Sequence, residues 1–428
     1  MKPARPARLT LLRTLAPLLL AATLAAGQAG AQTAASAPAA AASGPTLRAE
    51  VAKVFSAAQE AIKAGKHADA LARIAEAEAL PGLTPYEQYI ALRLKGPALF
   101  ASGDHAGALA VFEQVLASAQ LPAADRNGLT ETTIRLAMQA KQYNTAATLM
   151  KPYLAGGGSN PEIVNWYPQV LAVQGDHAGV IAWLQPVLAA DAAAKRATPE
   201  PTLRLLASSQ NSVKDSAGYL ATLTRLAVGT GKTDYWDELI NRTVRKDGFA
   251  DERLRLDVYR LRQLVGLALE GDEIGDMAFR ANQAGLPAEA QSLLDAGYKA
   301  GLLGKGANAA ADQKLRESAT KAAAQDRATL AESEAAALKA ANGNALVGLG
   351  MAVSTTGAHE RGLALMTQGI AKGGLRRPDD VQLHLGQVAL RAGKTDQARA
   401  AFAAVQASDG AADLARLFTL AIDNPVRK

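Results

Sequence analysis

The chain has no cysteine, which excludes a disulfide framework, a thiolate metal site and the acylated cysteine of a bacterial lipoprotein anchor. Aromatic residues make up only 4% of its 428 residues, too few for the thick core of a β-sandwich or barrel, and strand-like alternation of apolar and polar residues is missing as well. Long hydrophobic runs are absent but for one, Leu15 to Ala26, which is shorter than the ~20 apolar residues a membrane helix needs. A surplus of one charge is also missing. The chain holds 46 Lys and Arg against 40 Asp and Glu, but Lys2, Arg5, Arg8 and Arg13 precede the apolar run and every acid follows it, leaving 42 cations against 40 anions in the remainder. So even a balance argues against a general nucleic-acid surface.

Those four cations, the run from Leu15 to Ala26 and the small residues Ala29-Gly30-Ala31 read as a secretory signal peptide over residues 1–31, cut after Ala31. Its arginines are not adjacent, so the expected route is export of an unfolded chain. The mature protein is then expected to be periplasmic or secreted, and soluble, with no membrane insertion after cleavage. Residues 32–45 are dominated by Ala, Ser and Pro, a low-complexity tether with too little apolar bulk to pack, and are expected to be disordered.

What the chain does have is periodicity. Ten candidate turns stand at Gly65, Gly103, Lys141, Gly175, Lys214, Gly248, Gly285, Lys321, Gly357 and Gly393, stepping by 34 to 39 residues. A step of this size means one supersecondary unit stacked many times, each burying its apolar face only against its neighbours. The residues around several turns match: Ala64-Gly65-Lys66-His67 with Ala70, Ser102-Gly103-Asp104-His105 with Ala108, Gln174-Gly175-Asp176-His177 with Val180, and Ala392-Gly393-Lys394-Thr395 with Ala398. Glycine suits the left-handed position that ends a helix, and the small residue five places on lets two helices approach. Four places further comes a large apolar residue, Phe112, Met150, Leu184, Leu294, Met366 or Phe402, at the spacing of a buried helical stripe. Gly96, Gly350 and Gly386 each precede a turn glycine by seven residues and leave room for the paired helix.

This pattern resembles the tetratricopeptide repeat, a helix-turn-helix unit of about 34 residues. The resemblance covers residues 46–408 and is carried best by the first, second, fourth and last units. At Lys214, Gly248 and Lys321 the small residue after the turn is replaced by Tyr219, Arg253 and Asp326, so these units follow from phase alone and are expected to be flexible joints. The resemblance implies an all-α, right-handed superhelical solenoid of about ten repeats with a concave groove, and the apolar stretch Ala411 to Ile422, within residues 409–428, reads as the helix capping its open end.

Residues that could carry chemistry each have a plainer reading. His67, His105, His177 and His359 share one repeat position. Successive equivalents in a stack stand ~10 Å apart, so they cannot converge on an ion, and they read instead as fillers of the slot that Tyr143 takes in the third unit. His384 reads as a groove-side or surface residue. Gly229-Thr230-Gly231-Lys232-Thr233 imitates a phosphate loop, but Leu226 stands where its first glycine belongs and the upstream segment reads as helix. The pairs Asp379 with Asp380 and Asp272 with Asp276 read as charges favoured in the first turns of helices. The run Arg253, Arg255, Arg260 and Arg262, interleaved with Asp251, Glu252 and Asp257, reads as a solvated helix face in which Arg253 pairs with Asp257. Trp183 and Trp236 read as core, and Trp166 reads first as core packing, with a binding anchor as the alternative.

No catalytic or metal-ligating set and no cofactor signature emerges, so the expectation is a non-enzymatic, exported scaffold that binds another protein or a peptide segment. In solenoids of the resembled kind, polar side chains on the first helices clamp the ligand backbone. By phase, the comparable positions are Arg93, Glu131, Arg135, Asn165, Gln169, Asn282 and Gln387, with Trp166 as an aromatic anchor. An accessory subunit of a cell-envelope machine, serving a polysaccharide, pilus or energy-transducing system, is the alternative. More remote is the arm of a cell-wall hydrolase, since the repeat phase leaves no insertion large enough for a catalytic domain.

Overall fold

A computed structural model describes residues 46–425. The signal peptide read over 1–31, the tether over 32–45 and the last three residues lie outside them. The chain divides into two compact units, residues 1–185 and 186–428, and each is described by itself. Every regular element among the described residues is helical, with one short 3-10 turn at Gly306–Asn308.

The first unit pairs α1 (Ala49–Lys63) with α2 (His67–Glu78), α3 (Pro85–Ser102) with α4 (His105–Ala117), α5 (Ala123–Gln139) with α6 (Tyr143–Ala155), and α7 (Pro161–Val173) with the start of α8 (His177–Ala193). The second continues with α9 (Glu200–Ser212) and α10 (Ser216–Thr230), α11 (Thr233–Val244) and α12 (Asp251–Leu264), and α13 (Gly271–Gln283) and α14 (Pro287–Lys299). It ends with α15 (Ala309–Ala328), α16 (Leu330–Lys339), α17 (Asn344–Thr355), α18 (His359–Lys372), α19 (Pro378–Arg391), α20 (Thr395–Ala403) and α21 (Ala411–Asp423). The result is the expected all-α array of helix pairs with a final helix beyond the last pair.

Nine of the ten turn positions adopt the left-handed backbone, with φ from +57° at Lys141 and +61° at Lys214 to +95° at Gly103. At seven of them the next amide bonds back to a carbonyl five residues earlier, as Asp104 N does to Leu99 O at 3.0 Å and Gln142 N to Ala137 O at 2.8 Å, which closes the helix end; after Gly248 the amide of Phe249 reaches Lys246 O instead, at 3.2 Å. Where an Asp follows the turn it also starts the next helix. Asp104, Asp176 and Asp215 each accept from the backbone amide three residues on, at 2.8–2.9 Å.

The small-then-large stripe is the core. Ala108, Ala146, Val180, Ala290 and Ala398 are fully buried, and Phe112, Met150, Leu184, Leu294, Met366 and Phe402 are buried beside them. The glycines upstream accept these large side chains: a Cβ at Gly96 would lie 2.6 Å from Phe112, and one at Gly386 would lie 2.4 Å from Phe402. Gly350 meets backbone instead, since a Cβ there would approach the carbonyl of Gly362 to 2.6 Å, so α17 and α18 touch main chain to main chain. In the first unit one continuous core runs from Val51 and Phe55 through Phe112 and Ile134 to Ile163 and Val170.

Two expectations fail in the second unit. Lys321 ends no helix: α15 runs unbroken through it, and the interruption comes at Thr329. The stretch around Lys321 is rich in Ala, Lys and Gln, all good helix formers, and offers no residue that favours a left-handed turn, so local propensity overrides the repeat phase. The other failure concerns α12, whose arginine run is not a solvated face. Leu254, Leu256, Val258, Tyr259 and Leu261 bury it on nearly every side, and Asp257 and Arg260 are buried with them. α12 packs against α21, and Gly410 receives the ring of Phe249 so closely that a Cβ there would stand 2.2 Å from it.

Candidate functional site

Six of the eight residues singled out for a groove lie in the first unit, on α3, α5 and α7, and three of them tie successive helix pairs together. Arg93 on α3 reaches Asp125 on α5 at 3.3 Å and Tyr89 at 3.2 Å. Glu131 on α5 accepts from Tyr153 Oη at 2.6 Å and from Asn160 Nδ2 at 2.7 Å, and Arg135 donates to Glu162 at 3.1 Å. On α7, Asn165 and Gln169 are exposed and joined only locally, Gln169 Nε2 to the Asn165 carbonyl at 3.4 Å, while Trp166 is half-buried against the core. The fixed partners of Arg93, Glu131 and Arg135 explain what holds these helices in register. Asn165 and Gln169 remain presented.

The other two lie in the second unit. Asn282 is half-buried on α13, whereas Gln387 on α19 is buried, its amide committed on both sides. Gln387 Nε2 donates to Asp257 at 2.9 Å and its oxygen accepts from Arg260 at 3.2 Å. Around them stands an ion cluster drawn from three helices. Arg260 of α12 donates to Glu289 of α14 at 3.0 and 2.5 Å and to Asp257 at 3.0 Å, Arg391 of α19 donates to Glu289 at 2.8 Å, and His384 Nε2 stands 3.3 Å from Asp257. Burial pushes both carboxyls up, but the contacts of His384 and Arg260 with Asp257, and of Arg260 and Arg391 with Glu289, more than reverse this; Glu289 is held down at about 2. Both are therefore carboxylates. A buried, fully paired cluster of this kind offers no free acid or base for catalysis, and its work is structural.

This cluster escaped the sequence reading, although α12 carried a signal for it. A helix with apolar residues at 254, 256, 258, 259 and 261 has no continuous polar face, so its charges must be buried and paired. His384 likewise gains a carboxylate partner that no spacing along its own helix could reveal. The aspartate pairs are also more engaged than a helix-dipole role requires. Asp380 meets Arg253, Asp379 accepts from the amides of Gln406 and Ala407 at 2.5 and 3.1 Å, and Asp276 accepts from Tyr259 and Arg280 at 2.9 Å each. Near the N-terminus, Thr84 and Glu87 form a reciprocal cap at the start of α3, and the fully buried Glu87 also takes the amide and side chain of Arg48.

Open space in the second unit lies elsewhere. A groove of about 1000 Å³ is walled by α14, α15, α16 and α17. Each helix turns small residues into it: Ala288 and Ser292 from α14, Ala323 from α15, Ser333 and Ala336 from α16, and Ala345, Gly348 and Ala352 from α17, with the longer Gln291 beside them. Leu330, Leu349 and Val353 supply its apolar surface, with Asp295, Asp326 and Arg327 also lining it. Because the side chains are short, the walls keep the backbones of four helices close to whatever fills the space. The groove falls where Lys321 failed to make a turn: the 20-residue α15 overruns the repeat, and the 10-residue α16 buries only Ala337.

Among the described residues no cluster of three His, Asp or Glu is placed to hold a metal, and no helix is long and apolar enough to cross a membrane. The repeat histidines sit in separate turns. His105 packs on Phe100 with ring centres 5.0 Å apart, and His359 Nδ1 meets Ser354 Oγ at 3.2 Å. Trp236 is fully buried, and Trp183 packs edge-on against Tyr167 at 4.8 Å.

No protein-family model matches the chain, and no curated protein matches it. Similar solved structures include Naa15/Naa10 bound to HypK-THB, at 13% identity, a TM-score of 0.31 and coverage of 85% of this chain; the APC/C hetero-tetramer Cut9–Hcn1, at 10% identity, a TM-score of 0.23 and 77% coverage; and the TPR domain of P58(IPK), at 13% identity, a TM-score of 0.21 and 89% coverage. The chain spans 65% of the length of the first, 68% of the second and all of the third. The fold stands on the helix pairs and turns of the chain itself.

Proposed function

We propose that the protein is a non-enzymatic scaffold that binds a segment of another protein in the groove between α14 and α17. The observation that carries this reading is the groove of about 1000 Å³, lined on four helices by small side chains. Concave, largely apolar sites with a few polar groups are where ligands bind, and a space of this size suits a short peptide segment or one face of a partner helix. The exposed Asn165 and Gln169, with Arg135 beside Glu162, are a second contact surface in the first unit. The basic residues and apolar run within residues 1–31 support export, which makes the cell envelope the place to look for the partner.

Gly348 provides the test. It lines the groove, and a Cβ there meets nothing within 4 Å, so Gly348→Trp starts from open space and directs its ring into the groove. Protein lacking residues 1–31 is used to capture binders from envelope extract, beside Gly348→Trp and beside Arg135→Ala, Asn165→Ala and Gln169→Ala combined. A specific partner lost with Gly348→Trp supports the groove. Capture unchanged by Gly348→Trp but lost with the triple variant moves the site to the first unit and overturns the groove assignment.

A further inference from the structure

We propose that α12 is an internal strap: its contacts with α14, α19 and the 409–413 segment lock α13 to α18 into one cooperative block and set the width of the groove. The consequence for binding rests on the groove reading above. The strap itself does not.

The contacts are non-local. Arg260 and Gln387 are 127 residues apart, and Lys246 bonds Asp413 across 167 residues at 2.9 Å. At the start of α12, Ala250 N donates to Asp409 O at 2.8 Å, and Arg253 pairs with both Asp380 and Asp409. Midway along, Asp257 and Arg260 engage His384 and Gln387 of α19 and Glu289 of α14. The chain between these anchors, from α13 to α18, is thereby closed on itself instead of being joined only to its neighbours in sequence.

The groove lies inside that closed stretch. α14 serves both parts: Glu289 takes Arg260 and Arg391 on one face, while Ala288, Gln291, Ser292 and Asp295 line the groove on the other. The opposite wall is α17, which packs main chain to main chain on α18, and α18 leads directly into α19. Release of α12 therefore frees α14 and α19 together, and with them both walls. An open stack would pass no such disturbance beyond the adjacent unit.

Hydrogen exchange of the full chain, read by mass spectrometry, tests this without any ligand. Lys246→Ala combined with Arg253→Ala loosens the end of the strap while leaving the buried cluster intact. The expected result is exchange at least 10-fold faster, in concert, over 251–264, 271–299, 309–339, 344–372, 378–391 and 411–423, with 49–173 unchanged. Faster exchange confined to 246–253 and 409–413 would overturn the proposal. Should that variant lose its fold, Ala250→Cys with Asp409→Cys supplies the opposite perturbation, since the chain has no other cysteine. Oxidation should then slow exchange over 309–339 at least 5-fold relative to the reduced form, and no difference there would refute the strap. Loss of the strap's effects would leave the capture experiment with Gly348→Trp unaffected, so the two readings fail separately.

Discussion

Replacing Gly386 by Ala adds one methyl group where the fold leaves no room for it. A Cβ at this position would stand 2.4, 2.6 and 2.7 Å from Cε1, Cδ1 and Cζ of Phe402. The ring cannot slide away freely, because its other face stacks on Phe418 at 5.2 Å with an interplanar angle of 12°. Overpacking of this kind costs about 1–3 kcal/mol, and the pinned ring places Gly386 near the upper end. Against it stands the gain of about 1 kcal/mol from exchanging a helical Gly for Ala. The net expectation is a loss of about 2 kcal/mol. At Gly96 the same substitution meets Phe112 at 2.6 Å, but its other ring contacts are at 3.0 Å or more, so the loss should be about 1 kcal/mol. Native-state hydrogen exchange over 395–403 reports the local opening free energy, and Phe402→Leu completes a double-mutant cycle. The smaller side chain should relieve the clash, giving a coupling of at least about 1 kcal/mol. A Gly386→Ala variant that is neutral or more stable would show that helix propensity outweighs contact at this joint, and the close-approach reasoning would fail for the whole repeat.

The turns make a complementary prediction. At Lys141 and Lys214 a left-handed lysine costs about 1–2 kcal/mol and glycine's added chain entropy takes back about 1, so Lys214→Gly should be neutral or stabilising by up to about 1 kcal/mol in urea denaturation, and a clear loss would contradict the strain assigned there. Removing the cap carboxylate by Asp104→Ala should cost about 1 kcal/mol, seen as faster exchange at the start of α4 with α6 unaffected, and a neutral result would deny the cap any weight. Acid should also act through known groups. Hydrogen bonds from Arg48 hold the Glu87 carboxyl down at about 2, and the cations around Glu289 overcome its burial to the same level, both below the ordinary 4.5. Because the folded values are the depressed ones, their contribution is complete above pH 4.5 and lost between about 4.5 and 2, so the urea midpoint should fall over that window. Glu87→Gln should reduce the slope, and a midpoint flat from pH 5 to 3 would be inconsistent with buried carboxylates in either place.

The parts of the fold that could be read in the sequence are those enforced within one unit or between neighbours. A left-handed turn, a small residue five places on and a large one four places further are local requirements, so Gly103, Ala108 and Phe112 announce themselves, as do Lys141 and Lys214 once the phase is known. Gly96 and Gly386 were legible for the same reason, each making room for a ring on its own partner helix. Phase without local support was a poor guide at Lys321, where a helix-forming composition carried α15 straight through. The candidate sites were less legible. Arg135, Asn165 and Gln169 do lie on first helices, but Gln387 was assigned to a ligand and is instead engaged by Asp257 and Arg260, partners more than 120 residues away. No period in the sequence encodes that separation. The groove, too, arises from a departure from the period, which a reading based on regularity passes over.

Closure of the second unit alters where softness should be sought. In an open stack the least regular turns are the natural joints, and Gly248 would be one of them. Here the segment after Gly248 is among the most tightly held: Phe249 packs on Gly410, Ala250 bonds Asp409, and α12 is buried nearly all round. Within the block that α12 closes, the helix that packs least of its surface is α16, ten residues long and burying only Ala337, and it forms one wall of the groove. Ordering a weakly packed wall offsets part of the affinity gained by binding, but it also lets the groove adapt to the segment it takes. The strap and the soft wall are thus complementary: α12 holds α14 and α19 in place, so that adjustment on binding is concentrated in α16.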